Sequence, residues 1–409
     1  MKKIFKTHTK EKITAIAFII VIFTMMIGMV TTTHDLGEGF ILNYRLKVPT
    51  GAPVIERLKG AIESAEQAVN EGAFLRQQYV ELYGLSQLVM QKHAVIDYNY
   101  GALYKTRDGQ TTFSVQEERY IDDAANATYP LVNGLIHEGV DFLYVQLPFK
   151  VQPAKFGGDR ELPVYVHDYA NENADRFVET MRAANIACYD TRDEFFGSGL
   201  SMKELFFKTD HHWSIKGAFL GTGLIANYLS DNYGFDIPEG LYTEENFKTT
   251  TYPKSFIGSM GRRVGRIYGG IDDFTLYSPN FETDITVTKI EGISEVTTRG
   301  AFKDVVLEMQ YIDDPDPTTN RYAVYHGDYQ ELRFVNNLVD NDNSVLIIKD
   351  SFGLPVYSFL SLGIHEVRAI DMRIFEKNVL EYAAEYHPDL VILMYNCDSY
   401  VDPMFDFNM

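Results

Sequence analysis

The clearest fold signal in this 409-residue chain is SVLIIKDSFGLPVYSFLSL, residues 344–362. Residues 344–348 are typical of a buried strand, and residues 354–362 of a helix with Pro355 in its first turn, where proline is tolerated. Further alternation follows, with a strand at 366–370, a helix at 375–386 and a strand at 390–395. This order predicts an α/β fold with a parallel sheet, which binds ligands beyond the carboxyl ends of its strands.

Ser351 follows the first of these strands directly and precedes the helix. The N-terminal amides of that helix could stabilise an oxyanion, and Gly353 permits a tight turn with exposed backbone N–H groups. A serine at such a junction is otherwise an N-cap. Ser259 is a rival, but no clear buried strand precedes it and its surroundings do not match G-x-S-x-G. We therefore expect Ser351 to be a nucleophile.

The stretch TDHHW, residues 209–213, places a carboxylate and two imidazoles next to the chain's single tryptophan. Alternate residues of an extended backbone project to the same side, so Asp210 can fix the tautomer of His212, as in a Ser-His-Asp triad. The alternatives are a structural histidine and a metal site made by Asp210, His211 and His212. Because a catalytic zinc needs three well-placed ligands and an open position, we expect no metal.

The pairing of an Asp-x-His-Trp motif with a later Asp-Ser-Phe-Gly motif resembles the DHHW proteins and the alginate O-acetyltransferase-like branch of the SGNH hydrolase superfamily. The resemblance covers about residues 95–409 and is most specific at TDHHW, KDSFG and IDMR (370–373). His212 precedes Ser351 by 139 residues, which is the order of the branch described as circularly permuted. The resemblance implies a three-layer α/β/α sandwich and no cofactor.

By this resemblance Ser351 is the nucleophile, His212 the general base and Asp210 its orienting acid, and His211 occupies the variable position between the last two. Arg373 lies where related acetyltransferases use an arginine near the substrate.

Two weaker candidates complete the predicted site. Asn396, at the end of the strand 390–395, is a candidate oxyanion donor in the role of the SGNH asparagine. Residues 258–273, with Tyr268, are expected to form a loop over the site; the alternative is a solvated Gly/Arg turn.

The N-terminal region differs from the rest. Residues 1–12 are lysine-rich, and residues 13–30 contain no charge, which is long enough to span a bilayer. The absence of an A-x-A site favours an uncleaved anchor over a signal peptide, and the preceding lysines place the N-terminus in the cytoplasm and the body outside.

The remaining sequence suggests two further parts. Residues 31–95 are expected to form a connector and a helical stem, or a first layer packed on the catalytic domain. Residues 96–409 are expected to form that domain, with a β-rich insertion at about 245–340.

Composition limits the partners. The net charge is −20 although residues 1–12 are basic, so the rest of the chain is more acidic still. This argues against nucleic acid and other polyanions and favours a neutral or cationic glycan. With only Cys188 and Cys397, no disulfide framework or cysteine zinc site can form, although one bridge remains open.

The expected function is therefore an extracytoplasmic O-acetyltransferase of the cell membrane that modifies a polysaccharide acceptor through an acyl-serine. The resemblance implies an acetyl donor delivered by a polytopic membrane O-acyltransferase. The alternatives are a polysaccharide acetylesterase, which the same three residues would serve, and a non-catalytic scaffold for glycan assembly.

Overall fold

The computed structural model describes residues 2–48, 52–97, 101–158, 161–401 and 403–409. The chain divides into two compact units, Met1–Ser86 and Gln87–Met409. The helices of the first part of the chain are α1 (Lys2–Thr31), α2 (Thr33–Lys47), α3 (Val54–Gly72) and α4 (Arg76–Val89), the last of which continues into the second unit.

Helix α1 contains the predicted anchor. Its 22-residue segment Lys10–Thr31 is long and apolar enough to cross a membrane. Large apolar side chains such as Ile13, Phe18 and Phe23 are exposed along it, as expected of a surface that faces lipid. The helix fits a single-pass membrane anchor.

The second unit holds thirteen strands and ten α-helices in its described residues. The strands are β1 (Ala94–Asp97), β2 (Gly101–Lys105), β3 (Thr111–Phe113), β4 (Asp141–Gln146), β5 (Cys188–Asp190), β6 (Phe247–Phe256), β7 (Asp272–Pro279), β8 (Ile285–Glu291), β9 (Ser294–Gly300), β10 (Glu331–Asn336), β11 (Ser344–Lys349), β12 (Glu366–Ile370) and β13 (Leu390–Tyr395). The helices are α5 (Ile121–His137), α6 (Ala170–Ala183), α7 (Arg192–Phe196), α8 (Met202–Leu205), α9 (Ile215–Tyr233), α10 (Gly261–Gly269), α11 (Phe302–Val305), α12 (Gln310–Asp313), α13 (Gly353–Leu360) and α14 (Val379–Tyr386).

The central sheet has the strand order β5-β4-β13-β11-β12-β10-β8-β9. Its first five strands are parallel, which confirms the predicted parallel arrangement. The last three are antiparallel and come from the segment predicted to be a β-rich insertion, so most of that segment's strands extend the main sheet and make it mixed. These strands join the sheet because apolar and polar side chains alternate along them. The apolar residues Ile285, Val287 and Phe334 are buried and continue the apolar face of the parallel strands.

Both faces of the sheet are covered. In β11, Val345 and Ile347 join the core that contains α9 and α13, whereas Leu346 and Ile348 join the core that contains α5, α6 and α14. A central strand buried on both faces is typical of parallel sheets whose connections are helical. These layers form the predicted α/β/α sandwich.

Several residues of the predicted site lie at the carboxyl ends of the parallel strands. Ser351 follows β11, and Asn396 follows β13, its neighbour in the sheet. The TDHHW segment lies at the same edge, where His212 contacts Ser351. It directly precedes α9, whose N-cap Ser214 accepts a hydrogen bond from the Gly217 N–H at 3.0 Å.

Candidate active site

Asp210, His212 and Ser351 form one hydrogen-bonded chain. Nε2 of His212 lies 2.8 Å from Oγ of Ser351, and Nδ1 of His212 lies 2.6 Å from Oδ1 of Asp210. This is the geometry of a nucleophile, a base and an acid that fixes the base. The structure thus brings together the three residues that the sequence predicted as catalytic, across 139 residues of chain.

Asp210 is buried and fully bonded. Oδ1 accepts the His212 backbone N–H at 3.0 Å, and Oδ2 accepts the Ser259 N–H at 2.6 Å. Burial raises its pKa, but the charges of His212 and His211 and the hydrogen bonds from His212 bring the pKa well below the ordinary value. The carboxylate is therefore ionised near neutral pH.

Glycine is required beside this carboxylate. A Cβ on Gly258 would lie 2.3 Å from both Cβ and Oδ2 of Asp210. Any side chain here would push Asp210 away from His212, so the Gly258-Ser259 turn is shaped by its contact with the acid.

Aromatic residues hold the ring of His212. Tyr322 stacks on it with ring centroids 4.2 Å apart and planes 15° apart, and Phe352 covers it at 5.3 Å. The buried Trp213 donates from Nε1 to the Tyr322 hydroxyl at 2.9 Å and to the Phe352 carbonyl at 3.2 Å. Trp213 thus holds Tyr322 and Phe352, the two residues that pack on the ring of His212.

His211 lies next to the triad but outside the hydrogen-bonded chain. Its Nδ1 lies 3.1 Å from Ser259 Oγ. Burial, and then the charge of His212, lower the pKa of His211 to about 3. The ring is therefore neutral near pH 7 and adds no positive charge beside His212.

The turn that carries Ser351 is fixed by Asp350. Its Oδ1 accepts the Phe352 N–H at 2.8 Å, and its Oδ2 accepts the Asn396 N–H at 2.7 Å and the Ser399 hydroxyl at 2.7 Å. Asn396 Nδ2 donates to Asp350 at 2.8 Å and to Ser399 at 3.2 Å, so its amide hydrogens are used inside the turn. In this arrangement Asn396 supports Asp350, and its role as an oxyanion donor stays a prediction.

Arg373 is held rigidly beside the site. Its Nε lies 2.8 Å from Asp371 Oδ1, and its Nη2 lies 3.1 Å from Asp328 Oδ2. The buried Lys349 bridges the same two carboxylates. Among the described residues Nη1 has no acceptor, and the charge of Arg373 contributes to the low pKa of His211, after burial and the charges of His212 and Lys150. One edge of the guanidinium is available to substrate.

Tyr268 is bonded to the segment that precedes β1, and its place in the site stays a prediction. It is buried in α10, and its hydroxyl donates to the Lys92 carbonyl at 2.8 Å. The predicted loop 258–273 is helical over most of its length, with a break at Gly265 (φ 75°, ψ 157°). It approaches the triad through Ser259, at its N-terminal end.

Sequence reasoning missed Lys150. Its ammonium is buried and donates to the carbonyls of Thr111 (2.7 Å), Phe207 (2.5 Å) and Asp210 (2.8 Å), with Lys208 at 3.2 Å. Burial lowers its pKa to about 8, so it remains largely protonated at neutral pH. A signal was present, because Lys150 lies just after β4, at the edge of the sheet where the site was expected.

A metal fits this arrangement poorly. Asp210, His211 and His212 each bring a ligand atom within 4.8 Å of the others. However, both ring nitrogens of His212 and both carboxylate oxygens of Asp210 already have hydrogen-bond partners. The geometry suits proton transfer to and from Ser351.

Comparison with known proteins agrees with the predicted resemblance. Residues 106–267 match the family described as "SGNH hydrolase-like domain, acetyltransferase AlgX", a match that includes Asp210 and His212 and ends before Ser351. No curated protein shows significant similarity to the chain.

Solved structures share the fold. PatB1 from Bacillus cereus has a TM-score of 0.61 at 22% identity, covering 73% of this chain and 97% of that one. A structure of PatB1 with a sulfonyl adduct has a TM-score of 0.61 at 21% identity, covering 77% and 99%. A DHHW family protein from Eubacterium siraeum has a TM-score of 0.57 at 17% identity, covering 77% and 97%. The resemblance to the DHHW and alginate O-acetyltransferase-like proteins, and the SGNH-like α/β fold, are confirmed.

Substitution of His212 should reduce activity far more than substitution of His211. We expect His212→Ala to lower the rate of p-nitrophenyl acetate turnover by on the order of 10⁴-fold or more, because the base is lost. His211→Gln should cost less than about tenfold, since a neutral ring is replaced by a neutral amide. Equal losses in the two variants would contradict the assignment of His212 as the base.

Lys150 should contribute to stability and to activity, although its hydrogen bonds are with backbone carbonyls and not with Ser351. Lys150→Met leaves buried carbonyls without a donor, and each unsatisfied group costs about 1–3 kcal/mol. We expect a lower melting temperature and slower ester turnover, measured by circular dichroism and initial rates. Lys155→Met, which removes an exposed lysine, is the matched control; a Lys150 variant as stable and active as this control would refute the role.

Proposed function

We propose that this SGNH-like chain is an extracytoplasmic O-acetyltransferase that transfers acetyl groups to a polysaccharide through an acyl-serine on Ser351. The observation that carries the proposal is the hydrogen-bonded chain Ser351–His212–Asp210, with distances of 2.8 and 2.6 Å, at the carboxyl edge of a parallel sheet. The match to an acetyltransferase family supports the reaction class.

In the first half-reaction, Nε2 of His212 takes the proton of Ser351 Oγ as the oxygen attacks the acetyl carbonyl. A tetrahedral intermediate forms. His212 then returns the proton to the leaving oxygen of the donor, and the acetyl group remains on Ser351. Asp210 stays ionised throughout and stabilises the imidazolium, while the neutral His211 does not oppose it.

Two groups are candidates for stabilising the oxyanion. The Phe352 N–H is taken by Asp350, whereas the Ser351 N–H has no acceptor among the described residues. Nη1 of Arg373 is the second candidate, because its other nitrogens are held by Asp371 and Asp328. Donors fixed before the reaction cost no reorganisation when the charge develops.

In the second half-reaction a sugar hydroxyl loses its proton to His212 and attacks the carbonyl of the acetyl-serine. The bond between that carbonyl and Ser351 Oγ then breaks, and His212 returns the proton to Oγ, which restores the free serine. If water attacks the acetyl-serine instead of the sugar hydroxyl, the enzyme is an acetylesterase, which is the alternative function. A non-catalytic scaffold for glycan assembly is the third candidate function. The close geometry of the triad favours an enzyme over the scaffold, because nothing in a passive binding role requires a base bonded to a serine.

The acetyl donor would come from a polytopic membrane O-acyltransferase. We infer that residues 1–12 are cytoplasmic and residues 13–30 span the membrane, with a connector and helical stem to residue 95 and the catalytic domain from residue 96 outside. The apolar helix α1 supports this topology. It would tether the catalytic domain to the membrane that holds such a partner.

Ser351→Ala tests the proposal directly. The purified protein is given an acetyl ester with and without oligosaccharide acceptors, and products are identified by mass spectrometry. We expect acetylated sugar from the wild type and no acetyl transfer or hydrolysis from the variant. Acetate alone would identify an esterase, and neither product would favour the scaffold.

A sulfonyl fluoride provides an independent check on the nucleophile, because one of the similar structures carries a sulfonyl adduct. Labelling of the wild type should fall on the peptide that contains Ser351 and disappear in Ser351→Ala. Ser259→Ala is the matched control and should label normally. Labelling that follows Ser259 would overturn the choice of nucleophile.

The topology has its own test. Protease added to intact cells should digest the catalytic domain and leave a membrane-bound fragment that contains α1. Complete protection of the domain, with digestion only after the cells are lysed, would contradict the outside location.

A further inference from the structure

The antiparallel end of the central sheet has a free edge. Strand β9 is the last in the strand order, and its first six residues, Ser294 to Arg299, are all exposed. The strand pairs with β8 along its whole length of seven residues, in a register without a bulge. In the part of the chain that the structure describes, no strand lies on its other side.

The direction of the backbone groups on β9 follows from the pairing of the sheet. In an antiparallel sheet, successive residues direct their N–H and C=O groups to opposite sides of the strand. The Asn337 N–H donates to the Asp284 carbonyl at 2.8 Å, so the even-numbered residues of β8 bond to β10. The odd-numbered residues of β8 therefore bond to the even-numbered residues of β9. The backbone groups that point outward belong to Glu295, Thr297 and Arg299.

These outward groups have no hydrogen-bond partner among the described residues. Natural edge strands are usually protected by a proline, a lysine or a bulge. Strand β6 of the two-stranded sheet shows such protection, because it contains Pro253 and its register shifts between Tyr252 and Phe256. Strand β9 has none of these three features. It is therefore open to pairing with another strand.

The charges along β9 are complementary to a second copy of the same strand. Glu295 and Arg299 lie on one face of it, two residues before and two residues after Thr297. When two copies pair antiparallel about Thr297, Glu295 of each copy faces the partner's Arg299, and the two Thr297 residues face each other. All three are hydrogen-bonded pairs, in which two residues exchange both backbone hydrogen bonds. Opposite charges directly across such a pair stabilise it.

Both charged groups can make this contact. Glu295 is exposed and forms no ion pair in the described structure. Arg299 is 61% exposed, and it bonds Asp284 through Nε, at 3.0 Å, and through Nη2. Its Nη1 has no acceptor among the described residues, so it can bond a carboxylate of a second copy without giving up Asp284.

We propose that β9 is a dimerisation edge, at which two copies of this chain pair antiparallel about Thr297 and join their central sheets. Such an interface uses the same surface on both copies, so the assembly closes at two. Moving the axis to Val296 or Thr298 removes one hydrogen-bonded pair and separates Glu295 from the partner's Arg299. Three strands lie between β9 and β11 in the sheet, so the contact is remote from Ser351 and independent of the proposed reaction.

The test measures the molar mass of the full chain in neutral detergent by sedimentation velocity, over a range of protein concentrations. We expect the wild type to pass from one copy to two as the concentration rises. Glu295→Arg places arginines opposite each other and Arg299→Glu places glutamates opposite each other, so each variant alone should raise the Kd of the dimer at least about tenfold. An equimolar mixture of the two variants restores both opposite-charge pairs and should dimerise like the wild type.

Two further variants separate the edge from general effects of charge. Thr297→Pro removes an N–H that points away from β8, so the hairpin keeps its own hydrogen bonds while the dimer loses its central pair. This variant should remain a single copy. Glu291→Arg makes the same charge change on β8 instead of β9 and should dimerise like the wild type. Circular dichroism checks that each variant is folded, and if Arg299→Glu is not, Glu295→Arg and Thr297→Pro carry the test.

Three results would refute the proposal. The first is a wild type that stays a single copy at every concentration. The second is a dimer that persists in Thr297→Pro, which would place the contact elsewhere, for example along α1. The third is a mixture of folded Glu295→Arg and Arg299→Glu proteins that dimerises no better than either variant alone.

Discussion

The site depends on the bond between Asp210 and His212. A buried carboxylate is stable only if its oxygens are satisfied, and here the satisfaction comes from His212 and from the Ser259 backbone. Those partners require Gly258 beside the acid, Tyr322 against the imidazole and Trp213 behind Tyr322. Each of these features helps to keep the carboxylate of Asp210 in line with the imidazole of His212.

A similar arrangement operates on the other half of the site. The buried carboxylate of Asp350 accepts hydrogen bonds from the Phe352 N–H, Asn396 and Ser399. These bonds fix the turn that carries Ser351. Burial raises the pKa of Asp350, while these hydrogen bonds lower it. The two aspartates thus differ, since Asp210 bonds the ring of His212 whereas Asp350 holds a backbone turn.

Much of this could be predicted because it is local. Strand β11, the Ser351 junction and the Asp-x-His spacing are written in consecutive residues, and their apolar patterns and turn residues indicate the elements directly. For Lys150 the sequence showed only its position after β4, because its contacts are with carbonyl groups of Thr111 and of the TDHHW segment that approach it only in three dimensions. The same holds for β8–β10: their alternation indicated strands, but nothing local showed that they continue the central sheet.

The position of β13 has a consequence for assembly. This strand is the last along the chain yet lies between β4 and β11 in the sheet. Strands β4 and β11 therefore cannot take their final places until the C-terminus has been made, and the residues that brace the Ser351 turn arrive with it. A chain emerging N-terminus first carries its acid and base long before its serine is oriented. Such late closure favours a slow, long-range folding step and leaves Asp350 without its bonds from Asn396 and Ser399 until the C-terminal residues have been made.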